Sequence, residues 1–257
     1  MSTSPLQRVL VSITLVAFLA LCGGPGTSVA AARSTSTRAA VESGLRPCTV
    51  GRTTSTVRVG LQVGHWHADD LPAELQALRG NMGAVAGGYH EYQVNLAIAE
   101  RAAACLRAAG VSVDVLPATI PPHYQADAFV ALHADESPNL QTRGFKIVDH
   151  VRGWQASRAL VDALRIDYGR ASGFPWDGTH ISENMRLYYG LSTGRFWHTI
   201  ANETPGAIVE LGYLTNPQDR WWMTHQTDLL ASGVATGILH FLASKPATGW
   251  PAPPALP

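Results

Sequence analysis

Asp127-Ala128-Phe129-Val130-Ala131-Leu132-His133 is an almost unbroken apolar run, and Ala207-Ile208-Val209 is a second, shorter one. Short runs without polar alternation suit strands covered on both faces, so a chain that contains them needs layers above and below its sheet. Each run stops at an ionisable residue, His133 in one and Glu210 in the other. The stretch Thr204–Asp219 shows how such a unit is punctuated. Pro205-Gly206 signals a turn, the apolar run follows, Glu210 closes it, and Asn216-Pro217 reads as an N-cap with proline in the first helical position. A carboxylate at the end of a buried strand is costly to desolvate alone. Glu210 is therefore either paired with an arginine or a backbone N–H, or part of a site built along the strand ends.

The remaining elements alternate between two periods. Val57–Gly64 alternates strictly and predicts a strand that runs into Gly64-His65-Trp66-His67. Asp69–Gly88 is loop-like, with a short helix over Ala73–Leu78. From Glu91 the period changes: Val94, Ile98, Ala102, Cys105 and Ala109 recur at steps of three or four, and Gly110 closes the helix. Val111–Val115 alternates again, and Gly144–Val148 predicts a further strand. Ala156–Tyr168 and Asp228–Ala243 are helical by apolar spacing, while Met185–Leu191 reads as a short edge strand. Strands interleaved with helices argue for α/β architecture: a single domain with a largely parallel twisted sheet flanked by helices.

The ends of the chain read differently. Residues 1–32 have the form of a signal peptide: Arg8 in the n-region, an apolar h-region over Val9–Leu21 too short to span a membrane, a break at Gly23–Gly26, and small-residue cleavage sites at Ser28-Val29-Ala30 or Ala30-Ala31-Ala32. Lipid attachment at Cys22 competes with simple cleavage, and Leu21 is bulky for it. Residues 33–55 form a linker or N-terminal arm, residues 56–244 the catalytic domain, and residues 245–257 a Pro/Ala-rich tail expected to be disordered. The implied location is extracytoplasmic, with contact to membrane only through the signal segment or a lipid at Cys22. An exported chain also allows Cys48 and Cys105 to pair. The formal net charge is 0 at pH 7 and no segment is strongly basic, which excludes nucleic acid as a partner.

Three strand ends thus carry His65, His133 and Glu210, and Glu91 opens a helix. Strand C-termini line one edge of a parallel sheet, where the four residues can meet. Two imidazoles and one carboxylate leave an open position on a metal such as zinc, and a further carboxylate serves as general base. The spacing is long-range and matches no compact zinc motif. His67 and His90 are alternative ligands. Trp66, Tyr89, Trp176 and Trp197 are candidates for a substrate groove, or are ordinary core and loop aromatics.

Four segments, in order, resemble the zinc-dependent N-acetylmuramoyl-L-alanine amidases of the Amidase_3 family. They are Val59–His65, ending in Gly-His; Tyr89–Ala97, a glutamate-led helix start with Val94-Asn95-Leu96; Ala126–Asp135, with its His-Ala; and Pro205–Asp219, with Val-Glu-Leu-Gly, an aromatic and Asn-Pro. The resemblance implies that His65, Glu91 and His133 hold zinc and that Glu210 is the catalytic carboxylate. It also implies hydrolysis of the amide between N-acetylmuramic acid and L-alanine in peptidoglycan or muropeptides. The chain departs from the family at Gln62-Val63, where Asp-Pro is usual, and at Asp135, where Asn is common. These departures leave room for a zinc peptidase or amidase acting on another peptide. An inactive wall-binding domain is the reading from a different class, and retention of all four site residues argues against it.

Overall fold

Residues 57–256 are described by the computed structural model. The signal segment, the Cys22 site, the arm and Cys48, and with it any pairing to Cys105, lie outside the described residues.

The first alternating stretch forms strand β1, Arg58–Val63, and Val59 to Val63 are all buried. The alternation is real, but both faces of the strand are covered. Val59, Leu61 and Val63 face one apolar core, whereas Gly60 and Gln62 face the other side. A two-stranded hairpin, β2 (Val85–Ala86) with β3 (Tyr89–His90), turns through Gly87 and Gly88, both at positive φ. Glycine adopts that geometry without steric cost, as tight hairpin turns require. The hairpin feeds helix α1, Glu91–Ala108. Then follow β4 (Ser112–Leu116), β5 (Ala128–Asp135) and β6 (Lys146–Val148). Helix α2 spans Gln155–Ser172, and the short α3 spans Glu183–Arg186. Strand β7, Gly206–Tyr213, and helices α4 (Pro217–His225) and α5 (Thr227–Ala243) complete the chain of elements.

The five-stranded sheet has the order β4-β1-β5-β7-β6, parallel throughout except for β6, which pairs antiparallel with β7 at one edge. Apolar residues of α1, α2 and α5 cover one face and merge with Val130, Leu132, Val209 and Leu211 into the larger core. The opposite face carries Phe129, Ala131 and Ile208, covered by Met185 of α3 and by Tyr124, Tyr188, Leu191 and Ile200 from the connections that precede β5 and β7. The α4 start follows the sequence expectation: Asn216 Oδ1 accepts from the backbone N–H groups of Gln218 (2.9 Å) and Asp219 (3.0 Å), with Pro217 at the first helical position.

Two expectations are corrected. Met185–Leu191 is not an edge strand. Ser182 caps α3 by accepting from Met185 N–H at 3.2 Å, and a single 3-10 turn follows at Tyr189–Leu191. Met185, Tyr188 and Leu191 recur every third residue, so they share a helical face rather than alternate. Nor is the tail disordered where it is described. Trp250 stacks on Phe241 with the rings 5.8 Å apart, Trp154 Nε1–H donates to Pro251 O at 2.8 Å, and residues 250–253 help line a groove at the N-terminal ends of β5 and β7. One aromatic side chain gives the proline-rich segment an apolar anchor that its composition conceals. No described helix is long and apolar enough to cross a membrane.

Candidate metal centre and catalytic cleft

The site begins where β1 ends. Gly64 N–H donates to Leu132 O at 3.0 Å, keeping the chain beside β5 for one more residue. A Cβ at position 64 would collide with the His133 imidazole, so glycine is what lets β1 run beside that ring. His65 then adopts a left-handed conformation, φ 63°, uncommon for a residue with a Cβ. Its Nδ1 lies 2.8 Å from the Asn81 carbonyl. A carbonyl only accepts, so Nδ1 carries the proton and Nε2 keeps its lone pair. That Nε2 is 3.5 Å from Glu91 Oε1.

Glu91 is the first residue of α1 and is buried. Ala84 N–H donates to its Oε2 at 2.8 Å. Ala134 N–H donates to Oε1 at 3.1 Å, and Asn95 Nδ2 does so at 3.2 Å. His133 Nδ1 lies 3.0 Å from the same Oε1. Burial pushes the Glu91 carboxyl up, but the His133 contact, both imidazoles and the backbone N–H groups outweigh it and hold the group at about 2. Glu91 is thus a fixed carboxylate. Burial pushes His65 down, keeping it neutral.

The ligand atoms of His65, Glu91 and His133 lie within 4.8 Å of one another, and this is the group of metal-type side chains found among the described residues. Two ring nitrogens and one carboxylate oxygen converge here, and only a cation satisfies all three at once. Nitrogen and carboxylate donors in this number match a site with an open position for water or substrate. Without a metal a proton takes that place at His133, whose protonation Glu91 favours against the opposing effect of burial. His67 and His90 are not in the cluster. His67 is over half exposed and 3.6 Å from Asp70, and His90 is the N-cap residue of α1.

Glu210 sits on β7 directly beside His133 on β5, and Lys146 on β6 lies across from Glu210. The β5–β7 register shifts just after His133, a local irregularity of the kind found at sites. Glu210 Oε2 is buried with no hydrogen-bond partner among the described residues. Burial pushes its carboxyl up to about 8, with Asp135 and Glu91 adding to the effect and His133 and Lys146 opposing it. Among the described residues Glu210 has neither an arginine nor a backbone N–H as a partner. Lys146 is instead ion-paired with Asp135, donates to His180 O at 3.2 Å and lies 5.0 Å from the Tyr213 ring centroid. A cleft of about 860 Å³ opens over His65, His133 and Glu210, with Tyr188, Arg195 and Phe196 in its walls. A side cavity of about 240 Å³ beyond Glu210 is bounded by Lys146, Asp135 and Tyr213.

None of Trp66, Tyr89, Trp176 or Trp197 lines the cleft. Trp176 packs on Phe145 and beneath Arg165, and Trp197 is exposed. Asn95 was visible in sequence only as part of a signature, and the structure assigns it a contact with the Glu91 carboxylate.

The family model described as N-acetylmuramoyl-L-alanine amidase, Amidase_3, matches residues 59–240, which take in the sheet and the whole site. The chain belongs to this family. As an N-acetylmuramoyl-L-alanine amidase it hydrolyses the amide between N-acetylmuramic acid and L-alanine in peptidoglycan. Solved structures share the fold. The amidase AmiC2 of Nostoc punctiforme is 21% identical at a TM-score of 0.52, covering 75% of this chain and 99% of that one. The amidase Ami1 from Mycobacterium smegmatis is 21% identical at 0.54, covering 75% and 100%. An amidase from Clostridium difficile 630 is 18% identical at 0.55, covering 76% and 100%. No curated protein sequence matches the chain.

Proposed function

We propose that this amidase is a zinc enzyme acting outside the membrane on peptidoglycan or muropeptides. His65, Glu91 and His133 would hold the metal, and Glu210 is the catalytic carboxylate. The observation that carries this reading is one arrangement: two imidazole nitrogens converging on a buried carboxylate, with an unpartnered carboxyl beside them under an open cleft.

Zinc, when bound, supplies a Lewis acid that acidifies water and polarises the amide carbonyl. Glu210 does the proton work. As a carboxylate it takes a proton from the attacking water, and it then delivers that proton to the departing L-alanine nitrogen. In the metal-free chain burial raises this carboxyl, which favours uptake of the water's proton. Among the described residues no group hydrogen-bonds Oε2. Asn95 and the Ala84 and Ala134 backbone N–H groups donate to the Glu91 carboxylate and hold it in place. The cleft walls at Tyr188, Arg195 and Phe196 would receive glycan and stem peptide.

Residues 1–32 would direct export, by cleavage or by lipid attachment at Cys22, and residues 33–55 would link the enzyme to that end. The test is mass spectrometry of peptidoglycan fragments released by the purified chain, with and without a chelator. Free stem peptides that begin at L-alanine, lost on chelation and restored by zinc, are expected. Release that persists after chelation overturns the metal assignment, and cleavage within the stem moves the activity to a peptidase.

A further inference from the structure

We propose that Tyr188 and Gln62 are positioning residues that hold the His133 imidazole with Nε2 protonated and Nδ1 presented to the metal. The proposal rests on the reading of His65, Glu91 and His133 as ligands.

The direction of each hydrogen bond follows from a group that cannot donate. The Ala118 carbonyl, just after β4, only accepts. Gln62 Nε2 donates to it at 2.9 Å, so the amide nitrogen of Gln62 faces Ala118 and its Oε1 faces away. The same nitrogen donates to the Tyr189 hydroxyl at 2.8 Å, and Tyr189 passes its own proton to Ala118 O at 2.5 Å. The Tyr188 hydroxyl lies 2.6 Å from Gln62 Oε1 and gives its single proton there. What the Tyr188 oxygen has left is a lone pair, and His133 Nε2 lies 3.3 Å from it. Nε2 must therefore be the donor. In the metal-free chain Nδ1 also carries a proton, donated to Glu91 Oε1 at 3.0 Å; a metal that displaces this proton meets the Nδ1 lone pair while Nε2 keeps its own proton.

Nothing in the sheet itself asks for these polar groups. Gln62 is wholly buried in a strand whose neighbours Leu61 and Val63 are apolar, and an aliphatic residue would satisfy β1 equally. Both tyrosines turn inward from the irregular cover of the second face. The Tyr188 ring also meets the His133 ring edge-on at 5.3 Å, which restricts the imidazole plane. A ligating histidine is commonly oriented by the acceptor of its other N–H, and losing that acceptor weakens metal binding roughly 10–100-fold. Here the acceptor is a neutral hydroxyl whose direction must itself be held, which is the part Gln62 plays.

The experiment measures zinc affinity of the full chain by competition with a chromogenic chelator, for wild type, Tyr188→Phe, Gln62→Leu and the double variant. Tyr188→Phe keeps the ring against His133 and removes only the oxygen. Each single variant is expected to bind zinc about 10–100-fold more weakly while its near-UV circular dichroism is retained. The double variant is expected to lose no more than the weaker-binding single, because both act through one ring. ¹⁵N NMR of the zinc-loaded wild type is expected to show His133 protonated at Nε2. Wild-type affinity in Tyr188→Phe overturns the proposal, as do additive losses in the double variant or coordination through Nε2. If the wild type itself binds no zinc, the ligand assignment fails and the proposal falls with it. If the wild type binds zinc and the variants match it, the relay alone falls.

Discussion

His133 and Glu210 are register partners on the adjacent parallel strands β5 and β7, so their side chains leave the sheet side by side on the same face. One side chain is turned toward Glu91, and the other has a carboxylate oxygen without a hydrogen-bond partner among the described residues. The pleat places an imidazole and a carboxyl next to each other without any loop having to position them. That makes their roles separable by substitution.

Glu210→Gln keeps the size and polarity of the side chain and removes its capacity to take a proton. Turnover is expected to fall by roughly 10²–10⁴-fold, the usual contribution of a general acid–base group. Zinc stoichiometry is expected to stay at the wild-type value. Release of stem peptides at an undiminished rate would remove Glu210 from the mechanism.

The same variant has an opposite effect on stability. The Glu210 carboxyl is raised by burial from an ordinary 4.5 to about 8. Between those two values the folded chain holds a proton that the unfolded chain has lost, so stability falls as pH rises through that window. Below about 4.5 both states are protonated and the contribution vanishes. In metal-free protein, the melting temperature of Glu210→Gln is therefore expected to match wild type at pH 4 and to exceed it increasingly up to pH 8. Parallel curves across that range would show that Glu210 is not held neutral by its surroundings.

His133→Ala and His67→Ala separate ligand from neighbour. His133 is buried in the cluster, while His67 is exposed outside it. His133→Ala is expected to lose bound zinc and thermal stability together, because metal binding and folding are coupled. His67→Ala is expected to keep both within measurement error. Metal analysis with thermal melts checks the pair, and equal zinc content in the two variants would contradict the ligand set.

Trp250 joins the tail to the body by stacking on Phe241, at the sheet edge opposite the cleft. Trp250→Ala is expected to destabilise by about 1–3 kcal/mol, less than a fully buried aromatic, since the ring is only partly covered. Catalytic constants at a temperature well below the melt are expected to be unchanged. Urea unfolding gives the first quantity, and a wild-type midpoint would mean that the tail adds nothing.

The central strands were legible because an apolar run ending in His133 or Glu210 reports burial directly, and Asn216-Pro217 reports a helix start through its own local chemistry. Glu91 was legible as the head of a periodic helix. Gln62 was not, because in an alternating strand a polar residue reads as solvent-facing, and the cover of that second face is irregular. The segment around Met185 to Leu191 has too few residues to separate a three-residue repeat from alternation. Lys146 and Asp135 lie 11 residues apart with no helical relation, and the Tyr188–Gln62 bond joins residues 126 apart. Contacts of that kind arise from the topology of the sheet and leave no trace in periodicity.

The buried Lys146–Asp135 pair follows from the same row across the sheet. Lys146 is almost wholly buried, and its ammonium offsets negative charge from Asp135 and Glu210 together. Removing one partner of a buried pair leaves the other charge uncompensated, typically a loss of 3–5 kcal/mol. Lys146→Met is therefore expected to destabilise the chain by about that amount, reduced somewhat because Asp135 is partly exposed. It is also expected to move the limb of the pH–rate profile that reports Glu210 to higher pH, since one of the charges opposing the rise is gone. Adding Asp135→Asn removes the carboxylate that Lys146 neutralised, so the double variant is expected to recover much of the stability. The pH–rate profile of the double variant is expected to return toward wild type, because Asp135 also pushes Glu210 up. Additive losses of stability in the double variant, with an unmoved profile in Lys146→Met, would show that the pair is independent of the catalytic carboxyl.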